Sequence, residues 1–594
     1  MTRQLMFVSL LLSLFLPLGE CTAQEAVPVR IDFDVRVPMR DGPTLSADIY
    51  QPDDRRPEGR GPEGRGSGGA GKFPVILVRT PYNKSTERGN HLTLGKYFAA
   101  HGYVYVAMDV RGRGDSDGLF VPYRNEGPDG YDAIEWCAAQ SWSNGKVGTI
   151  GSSYLGYDQW IAALQQPPHL TTMIVLVTPP DPFVESPTGL QSPTYMSWYH
   201  LLLGHTLHNA AAVDWTALYW HLPLATMDEA AGFHAPYWQE IVNHPGINAW
   251  WEPLIYQNKF DRVKLPILHI SGWYDDEQAG ALMNYIGMTK HGATEEVRKN
   301  QKLLMGPWPH AVNSTRKLGA IDFGPTALID LEGYELRWFD RWLKGAANGM
   351  MDEKPVRIFA MGRDEWREEA DWPIPGTEYV KYFLSSGGKA NSLSGDGRLV
   401  TRAPSGVSRT DQYRYDPADP VPFLMEPTYA QVGGPDDYRA VERRDDVLVY
   451  TSEAFEQDRL ICGPVKAHLS AASSAVDTDF MVKLLDVWPN GFAQRLTDGM
   501  VRARYRNGGD KMSLIEPGKV YEYDVDVWNT CQEFGKGHRV RVEVASSAFP
   551  KYDRNQNTGE ALGKTANLKV AEQTIYHDAE HVSYVVLPMA PSKN

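Results

Sequence analysis

The sequence predicts an α/β chain in which a parallel sheet is interrupted by a helical insertion and followed by an all-β domain. Four observations carry this. Continuous apolar runs at residues 73–78, 103–108, 147–150, 265–270 and 302–305 suit strands covered on both faces. Segments between them, such as 130–139, read as helices, so strand and helix alternate. From about Pro180 to Tyr256, Trp, His and Leu recur at helical spacing instead, over 196–208 and again over 215–224. After Pro355 short alternating strands separated by Gly, Pro and Asp dominate, as at 447–450 and 539–544.

The boundaries follow from these changes of pattern. Residues 29–37 alternate apolar and polar as a half-buried strand does, and 53–72 form a Gly-, Pro- and Arg-rich surface loop. A first α/β part is expected over 24–180, the helical insertion over 181–256, a second α/β part over 257–350 and the β domain over 351–594. Residues 326–343 read as the last helix of the α/β part, ending at Gly345. The 594 residues exceed what one core holds, since single cores stop growing near ~250–300 residues.

Residues 1–23 have a positive start at Arg3, an apolar stretch from Leu5 to Leu18 and a small residue, Ala23, before Gln24. That is the pattern of a cleaved secretory signal. An exported protein, periplasmic or secreted, is expected. No later segment reads as a membrane helix. The net charge of −15 makes nucleic acid and anionic lipid poor partners. Three cysteines remain after cleavage; Cys462 and Cys531 are able to pair, and Cys137 reads as a buried small hydrophobe.

The chemistry begins at Gly151-Ser152-Ser153-Tyr154-Leu155-Gly156, between a short apolar strand and a helical pattern. A nucleophilic serine on a sharp strand-to-helix turn needs that context. Gly151 stands two residues before Ser153, but the second glycine falls three after it, so the common G-x-S-x-G spacing is not met. A hydroxyl is a poor nucleophile until an oriented base takes its proton. Asp275, in Gly272-Trp273-Tyr274-Asp275, and His310, in Gly306-Pro307-Trp308-Pro309-His310, each follow an apolar strand, in the order Ser, acid, His. Asp276 and Glu277 compete with Asp275 for the orienting role. The Tyr154 backbone N–H is one oxyanion donor; Tyr82, in Arg79-Thr80-Pro81-Tyr82, offers its backbone or hydroxyl as another.

These motifs, with Asp109-Val110-Arg111-Gly112-Arg113-Gly114, Asp477-Thr478-Asp479-Phe480 and Leu484-Leu485-Asp486-Val487, resemble the bacterial cocaine esterase, α-amino-acid ester hydrolase and X-prolyl dipeptidyl peptidase group across nearly the whole mature chain. The resemblance implies an α/β-hydrolase domain with an inserted helical cap and a C-terminal jelly roll. It implies Ser153 as nucleophile, Asp275 as acid, His310 as base, and the Tyr82 hydroxyl beside the Tyr154 N–H in the oxyanion hole. The expected activity is cleavage of an ester or amide through an acyl-enzyme, on a small molecule or short peptide, without a cofactor. X-Pro dipeptidyl-peptidase action is the nearer alternative, a non-catalytic binding protein the farther one.

The amino-acid ester hydrolases resemble one another in an acidic cluster that receives the substrate ammonium. Here Leu155 follows Tyr154 and residues 244–249 carry no acid, which leaves Asp158, Asp214 and Glu252 as candidates. Arg111-Gly112-Arg113-Gly114-Asp115 lacks a P-loop's Gly-Lys-Ser/Thr and reads as a structural turn. His200, His205 and His208 read as cap packing or pocket lining, and Asp477 and Asp479 as turn residues of the β domain.

Overall fold

The computed structural model describes residues 28–53, 71–86, 89–425 and 433–591. The expected signal segment, 1–23, and most of the 53–72 loop lie outside the described residues. A ten-stranded sheet forms the first domain. Its strands are β1 (Val29–Pro38), β2 (Thr44–Pro52), β3 (Phe73–Thr80), β4 (Val104–Asp109), β5 (Ser143–Ser152), β6 (Leu170–Leu176), β7 (Ile267–Gly272) and β8 (Gln301–Gly306), followed by Val356–Ala360 and Glu365–Glu369. The spatial order is β1-β2-β4-β3-β5-β6-β7-β8, then the last two. β3 to β8 pair in parallel, and β1 and β2 make an antiparallel edge. Every residue of β4, β7 and β8 is buried, as continuous apolar runs require.

Val356–Ala360 pairs in parallel with β8, so the sheet runs beyond the junction expected near 350. Alternation in the surrounding sequence resembles that of the β domain, and only the pairing partner distinguishes the two. The helix expected over 326–343 begins at Leu331, capped by the Asp330 carboxylate accepting from the Gly333 N–H, with a separate 3₁₀ turn at Pro325–Ala327.

The insertion is built of short pieces: Pro182–Glu185, Tyr195–Leu201, Trp215–Leu218, Met227–Ala230 and Pro236–Asn243 are helical. Apolar spacing over 196–208 and 215–224 persists beyond the helices because the aromatic residues pack on each other in irregular backbone. His200, for example, lies against His208, Trp215 and Phe233. Among the described residues no helix is long and apolar enough to cross a membrane.

The C-terminal domain is β-rich, an eleven-stranded system around a core that includes Leu469, Phe480, Leu484, Val525, Val542 and Leu587. Cys462 and Cys531 face each other across strands Arg459–Ser473 and Tyr521–Phe534 and form a disulfide, while Cys137 is buried and free.

Asp477 lies in the bend after strand Arg459–Ser473 and Asp479 opens strand Asp479–Val487; both are buried and carry ion pairs. Arg504 Nε donates to Asp477 at 2.7 Å; Arg502 donates twice to Asp479 at 2.8 Å, to the Asp553 carboxylate at 3.0 Å and its carbonyl at 3.2 Å, and to the cap carbonyl of Thr188 at 3.1 Å. Removing one partner of a buried ion pair strands the other charge. Arg502→Met is therefore expected to cost about 3–5 kcal/mol, read as a lowered denaturant midpoint, whereas a shift below about 1 kcal/mol would mean that water replaces the guanidinium.

Candidate active site

β5 ends in a turn that places Ser153 at φ 61°, ψ −125°, immediately before the third helix, α3 (Tyr154–Leu164), which follows α1 (His91–Ala100) and α2 (Glu126–Ala139). This conformation is strained for a residue with a Cβ, and the surroundings impose it. The Ser153 N–H donates to Leu176 O (2.9 Å) and Val177 O (3.1 Å) at the end of β6. A Cβ on Gly151 would lie 2.4 Å from Leu155 Cβ, and one on Gly156 would lie 2.5 Å from Thr178 Oγ1 and 3.1 Å from Leu176 O. Gly156 thus lets α3 press against β6, which explains why the second glycine sits three residues after the serine. The Tyr154 N–H opens α3, where backbone donors lack intrahelical acceptors and the helix dipole favours negative charge.

The Tyr154 side chain is turned away from this task. Its buried hydroxyl donates to Glu126 Oε1 at 2.6 Å and accepts from the Tyr123 N–H at 3.0 Å. Arg79, on β3, bonds the same glutamate through its side chain and, at 2.7 Å, through its carbonyl. Asp158 lies 3.9 Å from Arg79 in this buried layer, its carboxyl pushed up to about 8 by burial against the pull of the guanidinium.

The acid and the histidine are carried by two loops that lock together. A Cβ on Gly272 would lie 2.1 Å from Trp308 O, and one on Gly306 would lie 2.2 Å from the Trp308 ring. The Trp273 N–H donates to Gly306 O (2.9 Å) and the Tyr274 N–H to Trp308 O (3.1 Å). Trp273 Nε1 reaches Phe359 O and Trp308 Nε1 reaches Ala327 O, each at 2.7 Å. The β-rich domain braces the acid loop: Gln494 Nε2 donates to Tyr274 Oη (3.1 Å), and Gln278 exchanges two hydrogen bonds with the Asn529 backbone.

Held this way, Asp275 meets His310. Asp275 Oδ1 is 2.8 Å from His310 Nδ1, its Oδ2 accepts from Ser271 Oγ (2.6 Å), and Oδ1 accepts from the Glu277 N–H (3.1 Å). Asp276 Oδ1 is also 3.3 Å from Nδ1, on a less buried side chain. Of the three competing acids, Asp275 makes the shortest contact to the imidazole. An imidazole whose Nδ1–H is committed to a carboxylate has Nε2 available to take a proton. No hydrogen bond joins Ser153 Oγ to His310 among the described residues; in unliganded enzymes this contact is commonly long. Asp275, Asp276 and His310 have donor atoms within 4.8 Å of one another, enough to hold a cation, but the imidazole-orienting contacts already use them.

Tyr82 follows β3. Its N–H donates to Thr80 Oγ1 (3.0 Å), and its hydroxyl oxygen accepts from Trp198 Nε1 in the cap helix Tyr195–Leu201 (2.9 Å).

Three further acids surround His310, and only part of this was legible. Asp276 and Glu277 entered the sequence reading solely as rivals of Asp275. Glu185 closes the cap's first helical turn, Pro182–Glu185, where nothing local marks it. Glu277 is buried and its Oε2 has no hydrogen-bond partner among the described residues. Burial pushes Glu185 up to about 8, reinforced by the charge of Asp276 and opposed by His310. Burial likewise raises Glu277 far above the usual range. Burial alone would lower the His310 imidazole, but the hydrogen bonds to Asp275 and Asp276 and the nearby Glu277 charge outweigh it, holding it well above 6.5. The acids suggested by sequence lie elsewhere. Asp214 caps an exposed cap turn, Glu252 pairs with Lys259 at the surface, and Asp158 faces Arg79 behind the serine turn.

A chain in which a serine stands on such a turn, with acid and histidine following in order at neighbouring strand ends, is a serine hydrolase of the α/β-hydrolase fold. Residues 41–312 match the family model described as X-Pro dipeptidyl-peptidase (S15 family), and residues 348–586 match that of its C-terminal non-catalytic domain. The cocaine esterase of Rhodococcus sp. (strain MB1 Bresler) is 35% identical, over 94% of this chain and 98% of its own. A solved α-amino acid ester hydrolase superposes with a TM-score of 0.80 at 27% identity, over 96% of this chain and 98% of its own. An aminopeptidase of a marine-sediment Thaumarchaeota archaeon shares the fold, with a TM-score of 0.81 at 24% identity over 98% of this chain and 99% of its own. The chain belongs to the S15, CocE/NonD-type family of serine hydrolases.

Proposed function

We propose that Ser153, His310 and Asp275 act as a catalytic triad on esters whose acyl group carries an amine, and that Glu185, Asp276 and Glu277 receive that amine as an ammonium. The observation that carries this reading is the buried carboxyl of Glu277, whose Oε2 has no hydrogen-bond partner among the described residues, near Glu185 and Asp276. Buried acids without a cation are costly, and a bound ammonium offsets that cost. Two relatives named for ester hydrolysis support the ester preference.

In the reaction, Ser153 Oγ attacks the carbonyl carbon while His310 Nε2 takes the hydroxyl proton. The carbonyl π electrons move onto oxygen, where the Tyr154 N–H and Tyr82 hydroxyl donate to it. Collapse expels the alkoxide, which leaves with the proton from His310. Water, deprotonated by the same nitrogen, then attacks the acyl-enzyme and releases acid and Ser153.

The test compares phenylglycine methyl ester with phenylacetic acid methyl ester, which lacks the amine, and alanyl-prolyl-p-nitroanilide. The amino ester is expected to exceed the desamino ester about 10²-fold in kcat/KM, the scale of a buried charge pair. Glu277→Gln is expected to bring the two within a few-fold. Equal kcat/KM for both esters in wild type would overturn the ammonium reading. Faster cleavage of the anilide than of either ester would move the enzyme to dipeptidyl-peptidase action, since a peptide N-terminus also fits the acids.

The pH dependence has a definite sign. In the free enzyme the acids keep His310 protonated above its ordinary range, so the ascending limb of kcat/KM is expected above pH 6.5. A bound ammonium neutralises those charges and lowers the imidazole pKa. The limb of kcat is therefore expected at lower pH than that of kcat/KM for the amino ester, and not for the desamino ester. Coincident limbs for the amino ester would exclude the coupling.

Export belongs to the same reading. The N-terminal pattern and the Cys462–Cys531 disulfide both suit an oxidising compartment. Mass spectrometry of the protein from its native host is expected to find Gln24 at the mature N-terminus; an intact Met1 would contradict it.

A further inference from the structure

The cap and the oxyanion site are joined by one hydrogen bond. Trp198 Nε1, on the cap helix Tyr195–Leu201, donates to the Tyr82 hydroxyl oxygen at 2.9 Å. Trp198 packs both into the cluster behind the serine turn and into the cap's own core. Its ring stacks on Tyr123 (6.0 Å, 17°) and lies 6.0 Å from the Tyr154 ring. The Tyr123 N–H in turn donates to the Tyr154 hydroxyl.

A second contact holds the same pair of segments in register. Buried Arg113 donates through Nε to Pro81 O (2.8 Å), the residue before Tyr82, and through Nη1 to Leu202 O (2.8 Å) and Gly204 O, just past the Trp198 helix. Arg113 therefore fixes both backbones whose side chains make the Trp198–Tyr82 bond. This is the use of the Arg113 side chain within the motif read as a structural turn.

From this geometry we infer that Trp198 is a positioning residue of the oxyanion hole, and that a seated cap completes the hole. The inference rests on the triad and Tyr82 roles proposed above. A phenol oxygen has one proton to donate and lone pairs to accept. The indole N–H occupies a lone pair and sets the tilt of the phenol. The Tyr82 proton then goes to the developing oxyanion, and the linked bonds N–H to O–H to O⁻ polarise one another. Because the donor comes from the cap, the alignment of Tyr82 depends on the cap helix Tyr195–Leu201 being seated as it is here.

The experiment is a kinetic cycle of Trp198→Phe, Tyr82→Phe and the double variant on phenylglycine methyl ester, with Ser153→Ala as reference. Phenylalanine keeps a ring against Tyr123 but has no N–H. Tyr82→Phe is expected to lower kcat about 10²-fold, as loss of an oxyanion donor does, and Trp198→Phe about 10-fold with KM within about twofold. The double variant is expected to be no slower than Tyr82→Phe, because Trp198 acts only through the phenol. Replacement of Trp198 by benzothienylalanine, which keeps the bicyclic shape and removes the N–H, is expected to reproduce the Trp198→Phe loss and serves if that variant folds poorly.

Losses that multiply in the double variant, a change confined to KM, or full kcat with benzothienylalanine would each overturn the inference. Full kcat in Tyr82→Phe, with Ser153→Ala inactive, would overturn it while leaving the nucleophile in place. Activity in Ser153→Ala would instead remove the triad reading on which it rests.

Discussion

Ser153→Ala is expected to abolish ester turnover, with kcat falling about 10⁴–10⁶-fold, because no other oxygen can form the acyl-enzyme at this position. The substitution is clean for a structural reason. Ser153 occupies φ 61°, ψ −125° whatever its side chain, since its N–H is held by Leu176 and Val177 and its flanks by Gly151 and Gly156. Alanine keeps the Cβ and so leaves the backbone strain unchanged, and stability is expected to stay within about 0.5 kcal/mol. Ser153→Gly removes the Cβ that this conformation penalises. It is expected to be equally inactive but more stable by about 1 kcal/mol, measured as a raised unfolding midpoint. An active alanine variant would show that the strained turn is not where the acyl group is carried.

Asp275→Asn is expected to lower kcat about 10⁴-fold while leaving KM and stability little changed. Asp275 accepts from Ser271 and from the Glu277 N–H and meets His310 Nδ1 at 2.8 Å, so it holds the tautomer with Nε2 unprotonated. An amide is able to present its N–H to Nδ1, which moves the ring proton to Nε2 and removes the base. Asp276 stands 3.3 Å from the same nitrogen and lends a second, weaker acceptor. Asp276→Asn is therefore expected to cost about tenfold or less in kcat, as a neighbouring charge rather than an orienting partner. A larger loss from Asp276→Asn than from Asp275→Asn would exchange the two roles.

The division of labour among the acids shows where sequence reasoning stops. Asp275, Asp276 and Glu277 are consecutive, and each follows the same strand; only their contacts in the fold separate the acid that meets His310 Nδ1 at 2.8 Å from the other two. Glu185 lies 90 positions before Asp275, and only the fold of the chain brings it within the electrostatic reach of Asp276 and His310. Asp214 and Glu252 had the same composition and the same cap address, yet both point to solvent. The strands Val356–Ala360 and Glu365–Glu369 join the first sheet, which their sequence did not signal for a related reason: alternation reports a strand, not the sheet it joins.

The sequence by itself determined the alternation of apolar strands and helices, the glycine-flanked serine turn and the order of serine, acid and histidine. These are local demands: burial on both faces of a strand, backbone room at a tight turn, and loops at strand ends. Only the tertiary structure decided which acid orients His310, which acids gather beside it, how the β-rich domain braces Tyr274 and Gln278, and that Trp198 reaches Tyr82. Those outcomes depend on contacts between segments far apart in the chain, where packing in three dimensions, and no periodicity along it, sets which polar atoms meet.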